Sequence, residues 1–196
     1  MDGVAVRVAA GGSLLDACDR AGVYVPRLCA HPGLPGRAWS GPGGDGCGLC
    51  LVRLGDGSLA LACATAVAPG LEVSTNDAEL SALRLERLAP TLAGHPHVCL
   101  TCPSRDGCTR DECSYGNPPD ARCCDEFGHC ELGRVVAFVD LKQELRRFAV
   151  AVSRETVVEG RIHFEPGLCI ACGRCVVACD TLPGAGQALE MAPGLR

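Results

Sequence analysis

Residues 47–65 read Cys47-Gly-Leu-Cys50-Leu-Val-Arg-Leu54-Gly-Asp-Gly57-Ser-Leu59-Ala-Leu-Ala-Cys63-Ala-Thr65. Two apolar runs, Leu51 to Leu54 and Leu59 to Cys63, flank Gly55-Asp56-Gly57, which predicts a β-hairpin. One tight turn, Cys47-Gly48-Leu49-Cys50, carries two thiols into the first strand, and a third thiol sits at the end of the second. The small residues beside the pair let backbone N–H groups approach the sulfurs.

Outward from that hairpin, Val4 to Val8 reads as a short strand, and Gly11-Gly12-Ser13 leads into Leu14, Leu15, Ala17, Cys18 and Ala21 at helical spacing. Ser13 is the expected N-cap and Gly22 the stop. A Gly/Pro-rich loop covers about residues 29 to 48, and Leu71 to Ser74 adds a strand. Strand, helix, loop, hairpin and strand in that order describe a β-grasp sheet crossed by one helix. Asn76 followed by Glu79 resembles a capping box for a helix bearing Leu80, Leu83, Leu88 and Leu92, which Pro90 should kink or end near Ala89. Between Cys99 and Cys130 no periodicity survives, so bound metal must organise that stretch. Leu132, Val135, Val136 and Val139 mark a further helix, and Arg161 to Phe164 a short strand.

Sixteen cysteines in 196 residues would mean a disulfide scaffold in a short secreted chain. The start, Met1-Asp2-Gly3-Val4, carries no basic leader, and no run approaches the roughly 20 apolar residues of a membrane span. The expected setting is a reducing cytoplasm without membrane insertion, where dense cysteines bind metal. A formal charge of −5 and a single lysine, Lys142, exclude a nucleic-acid partner.

Three ligand sets follow from spacing. Cys29, Cys47, Cys50 and Cys63 combine a C-x2-C pair with two outlying cysteines, as plant-type [2Fe–2S] sites do. His95, Cys99, Cys102 and Cys108 form an asymmetric set, less negative by one charge than four thiolates; His97 competes with His95 but lies only two residues before Cys99. Cys169, Cys172, Cys175 and Cys179 follow the bacterial ferredoxin run, with Asp180 where a proline is usual. Structural zinc is the alternative at each set. Cys18 reads as a buried small hydrophobe, and Glu131 and Glu144 as solvated helix charges. No glycine-rich phosphate loop or Ser/His/Asp arrangement appears, so the chain has no substrate site of its own.

These sets, with Pro26-x-Leu28-Cys29-x-His31-Pro32, Ala62-Cys63-Ala64-Thr65 and His95-Pro96 around them, resemble one family over nearly the whole chain. It is the iron–sulfur region shared by the large iron–sulfur subunit of respiratory complex I, the diaphorase iron–sulfur subunit of NAD-linked hydrogenases, NAD-dependent formate dehydrogenases and iron-only hydrogenases. The resemblance implies an α+β chain in three parts. These are a [2Fe–2S] β-grasp domain over 1–75, a histidine-ligated [4Fe–4S] domain over 76–150 and an incomplete ferredoxin-like [4Fe–4S] segment over 151–196. It further implies an electron-transfer subunit working between a flavin-containing NAD(P)H-oxidising subunit and a catalytic subunit. The alternatives are the N-terminal part of a catalytic formate dehydrogenase or hydrogenase chain, and a zinc-stabilised binding module.

Three departures stand out. Asp2-Gly3 opens the chain where the family has a preceding strand, and the chain stops about where a second ferredoxin motif or a catalytic domain would continue. An insertion also carries Cys113, Cys123, Cys124 and Cys130. Local spacing favours Cys108 as the ligand closing the histidine-containing site, leaving the four inserted cysteines for an additional [4Fe–4S] cluster. Gly128-x-Cys130-Glu131-Leu132, however, resembles the family's closing Gly-x-Cys-Glu-Leu. In that assignment Cys130 closes the site and Cys108, Cys113, Cys123 and Cys124 form the extra set. The expected complement is one [2Fe–2S] and two or three [4Fe–4S] clusters.

Overall fold

The structure is a computed structural model that describes residues 1–8, 11–34, 46–96, 98–100, 102–104, 108, 112–118, 122, 129–139, 156–159 and 162–181. His97, Cys123, Cys124, Glu144 and the middle of the 29–48 loop lie outside the described residues. Contacts group the chain into two compact units, 1–87 with 171–196, and 88–170.

In the first unit, helix α1 (Leu14–Arg20) starts where Ser13 and Asp16 form a reciprocal capping box, and the chain leaves it through Gly22 at φ +71°. The predicted hairpin forms from β1 (Leu51–Leu54) and β2 (Leu59–Leu61), with Leu51 opposite Leu61. Asp56 Oδ1 accepts from the Ser58 amide and hydroxyl, which fixes the turn. β3 (Val73–Ser74) pairs antiparallel with β1, giving the order β2-β1-β3. Leu14, Leu15, Cys18, Val25, Val52, Ala62 and Val73 form the core beneath this sheet. Amides of Leu14 and Leu15 donate to the carbonyls of Thr65 and Ala62, so α1 is tied to the segment bearing Cys63.

The strand expected over Val4 to Val8 is not present: those residues join no ladder, and Val4 is 66% exposed. Asp2 and Gly3, at φ +46° and +79°, turn the chain, and the Asp2 carboxylate accepts from the Thr75 amide and hydroxyl, which holds the terminus at the end of β3 instead.

Helix α2 spans Ala78–Ala93 and runs through Pro90, so the expected end near Ala89 does not occur. Leu88 and Leu92 on either side are fully buried, and their packing outweighs the missing N–H. Asp77, not Asn76, caps the first turn, accepting from the Leu80 amide at 2.8 Å and pairing with Arg53.

In the second unit, α3 (Glu131–Phe138) buries Leu132, Val135 and Val136, as the apolar spacing requires. The strand predicted near 161–164 is β5 (Ile162–Phe164), paired with β4 (Val157–Glu159), which has no counterpart among the expected elements. A single 3-10 turn covers Pro166–Leu168. Helix α4 (Arg174–Thr181), back in the first unit, is likewise additional to the expected elements. Among the described residues no helix is long and apolar enough to cross a membrane.

Candidate iron–sulfur sites

The loop after α1 and the β1 hairpin bring the first four cysteines together as two pairs. Cys29 and Cys47 lie with their sulfurs 3.4 Å apart. Cys50 hydrogen-bonds through its side chain to Cys63. Two thiolates on one tetrahedral metal stand about 3.8 Å apart for metal–sulfur bonds of about 2.3 Å, so the Cys29–Cys47 spacing is close to that of two thiols on one iron. Among the described residues no three His, Cys, Asp or Glu side chains gather around one point. Two adjacent pairs suit a two-iron cluster, in which each metal takes two thiolates.

Backbone amides aim at these sulfurs. The Leu28 amide donates to Cys47 Sγ at 3.3 Å, and the Cys47 amide to Cys29 Sγ at 3.5 Å. The amide of Leu49 also serves Cys47, and that of Cys63 serves Cys50. Gly48 makes this wrapping possible, because its φ of +64° lies in the left-handed region. In the metal-free pair one proton is shared. The thiol hydrogen bond from Cys29 and the surrounding amides lower the Cys47 pKa to about 6. Cys29, donating to that thiolate and buried, is pushed up, and Cys50 is raised in the same way beside Cys63. Cys18 is fully buried beside Met1 in the apolar core, and burial raises its pKa to about 11.

Sequence reasoning missed the arginines around this site. Arg84 and Arg87 of α2 donate to backbone carbonyls of the cysteine turn, and Arg174 donates to the Ala30 carbonyl at 2.7 Å. Arginines at an i, i+3 spacing on a helix carry no motif, and only the packing of α2 reveals their target.

In the second unit, His95 Nδ1 lies 2.8 Å from the Pro96 carbonyl. A carbonyl only accepts, so Nδ1 carries the proton and Nε2 the lone pair suited to a metal. Cys99 and Cys102 are half-buried and bracket a turn closed by the Cys102 amide and the Cys99 carbonyl. Cys108 is exposed, whereas Cys130 is half-buried and caps α3, its sulfur accepting from the Gly133 amide at 3.3 Å. A methyl group at Gly133 would lie 3.3 Å from Cys130 Sγ and 3.5 Å from Leu100 Cδ2, so Cys130 and the Cys99–Cys102 turn flank the same glycine. Amides of Tyr115 and Asn117 favour the thiolate of Cys113.

In the third set, Cys169 follows the 3-10 turn, and Cys175 and Cys179 stand one turn apart on α4. Ala171 at φ +52° and Gly173 at +71° coil the backbone on either side of Cys172. Arg174 Nε is a buried nitrogen without a hydrogen-bond partner. A buried donor between Cys172 and Cys175 suits the acceptor sulfurs of a cluster.

Residues 1–78 match the 2Fe-2S iron-sulfur cluster binding domain family. An NADH-quinone oxidoreductase component of Rhizobium meliloti is 30% identical over 188 residues, which are 94% of this chain and 19% of that protein. The gamma subunit of the NAD-reducing hydrogenase HoxS of Cupriavidus necator is 28% identical over 176 residues, 90% of this chain and 62% of the relative. The chain thus spans about a fifth of the first relative and under two thirds of the second. The crystal structure of an NAD+-reducing [NiFe]-hydrogenase in the H2-reduced state shares the fold. Its TM-score is 0.69 at 23% identity, over 99% of this chain and 70% of that one.

Proposed function

We propose, for a chain whose residues 1–78 belong to the 2Fe-2S iron-sulfur cluster binding domain family and which is homologous to components of an NADH-quinone oxidoreductase and of an NAD-reducing hydrogenase, that it relays electrons between a flavin-containing NAD(P)H-oxidising subunit and a distant catalytic subunit. The pairing of Cys29 with Cys47 and Cys50 with Cys63 carries this reading. A [2Fe–2S] cluster supplies one-electron chemistry there. The chain's own part is to place four thiolates, donate N–H groups to them and exclude water with Leu28, Leu49 and Ala62, all buried.

The other sets extend the relay. His95, Cys99 and Cys102 hold one [4Fe–4S] cluster, and Cys169, Cys172, Cys175 and Cys179 another. The half-burial of Cys130 and its place beside Leu100 support Cys130, rather than Cys108, as the closing ligand of the histidine-containing site. Cys108, Cys113, Cys123 and Cys124 are then left for an additional metal group. Division into 1–75, 76–150 and 151–196 follows these ligand sets.

The test is iron and acid-labile sulfide analysis of anaerobically purified protein, with electron paramagnetic resonance after reduction. The expected result is a [2Fe–2S] signal together with [4Fe–4S] signals. Colourless protein with stoichiometric zinc would overturn the redox function.

A further inference from the structure

Arg84 is 0% exposed, and its guanidinium donates to backbone carbonyls and, through Nη1, to Asn76 Oδ1 at 3.3 Å. Its Nε donates to the Leu49 carbonyl at 3.2 Å, and its Nη2 to the carbonyls of Leu51 and Thr75. Leu49 and Leu51 flank Cys50. One turn along the helix, Arg87 Nη1 donates to the Gly48 carbonyl at 2.8 Å, and its side chain covers the open face of that glycine. Two forks from one helix therefore hold the carbonyls of Gly48, Leu49 and Leu51 outward. Because each peptide unit is rigid, fixing the Gly48 carbonyl on one side fixes the Leu49 amide on the other, where it serves Cys47.

We propose that Arg84 and Arg87 form a cationic clamp that sets the reduction potential of the [2Fe–2S] site. This rests on the assignment of Cys29, Cys47, Cys50 and Cys63 as its ligands. Two effects act in one direction. Reduction adds negative charge to a cluster already surrounded by four thiolates, and nearby guanidinium charge favours the reduced form. The charge of Arg84 acts on Cys50 directly, since the two interact electrostatically. The clamp also holds the Leu49 amide, which stabilises charge on Cys47. Arginine suits the role because its planar fork reaches several carbonyls and stays protonated when buried.

The experiment uses the full chain loaded with iron and sulfide and titrates the [2Fe–2S] signal against potential in wild type, Arg87→Gln, Arg87→Lys and Arg84→Lys. Arg87→Gln should lower the midpoint enough to change the oxidised-to-reduced ratio about tenfold at fixed potential, which is about 59 mV for one electron. Arg87→Lys, keeping the charge, should recover part of that shift. Arg84→Lys keeps charge but not the fork, and should lower the potential and broaden the resonance as the turn loosens. If Arg84→Lys fails to load, the two Arg87 variants decide alone. Wild-type potentials in Arg87→Gln with the cluster intact would overturn the clamp. A wild-type chain that holds no [2Fe–2S] cluster would instead overturn the ligand assignment beneath it.

Discussion

The chemistry of the first site turns on Cys47, whose sulfur receives N–H groups from several directions. In the metal-free chain the Cys29–Cys47 pair should lose its first proton near pH 6 instead of near the ordinary value of 9.0. Cys47 is then a thiolate above that pH and a thiol below it, and Cys29 keeps its proton well beyond the usual range. Ultraviolet thiolate absorbance during a pH titration reads this, and Cys29→Ser should move the first step upward. Gly48→Ala is expected to be costly, because a φ of +64° strains any residue with a Cβ and that Cβ would run into Arg87. A loss of about 1–2 kcal/mol, with faster cluster release, should appear in thermal unfolding of the loaded protein. At the second site, Cys130→Ala should abolish the histidine-ligated cluster while Cys108→Ala spares it. The reverse outcome in iron content and spectra would restore Cys108 as the ligand.

Helix α2 is the element that departs most from its sequence signal. Pro90 reads as a kink or an end, yet Leu88 and Leu92 are buried on the turns before and after it and the helix continues to Ala93. The proline costs up to about 3 kcal/mol in a helix interior, so Pro90→Ala should raise stability by about 1 kcal/mol or more, read as a higher unfolding midpoint. An unchanged midpoint would mean that the surrounding structure has already absorbed the cost. The hairpin was legible for the opposite reason. Gly55-Asp56-Gly57 satisfies its own turn through Asp56 and Ser58, and the apolar runs on either side need only each other. The Val4 to Val8 segment shows β-branched residues but no partner strand, and a strand without a ladder has no stable hydrogen bonding to recruit it.

Across the described residues, apolar burial is spread unevenly. Residues 14–30, 50–52, 62 and 73 contribute a packed core, whereas Cys102, Cys108 and Cys113 stand among mostly half-buried or exposed neighbours. Stripping iron should therefore leave amide protection in α1, β1 and β2 and erase it around Cys99, Cys102 and Cys113, as hydrogen exchange would show. Equal loss throughout would mean that the first core also depends on its cluster. The sequence alone determined the ligand candidates, the hairpin and the capped first helix, because cysteine spacing, turn chemistry and capping act within a few residues. Only the tertiary structure decided which thiols pair, that α2 survives its proline, that Cys130 and Leu100 flank Gly133, and that Arg84 and Arg87 face the cysteine turn. Each of these depends on which surfaces pack against one another, and burial between segments distant in sequence leaves no local pattern to read.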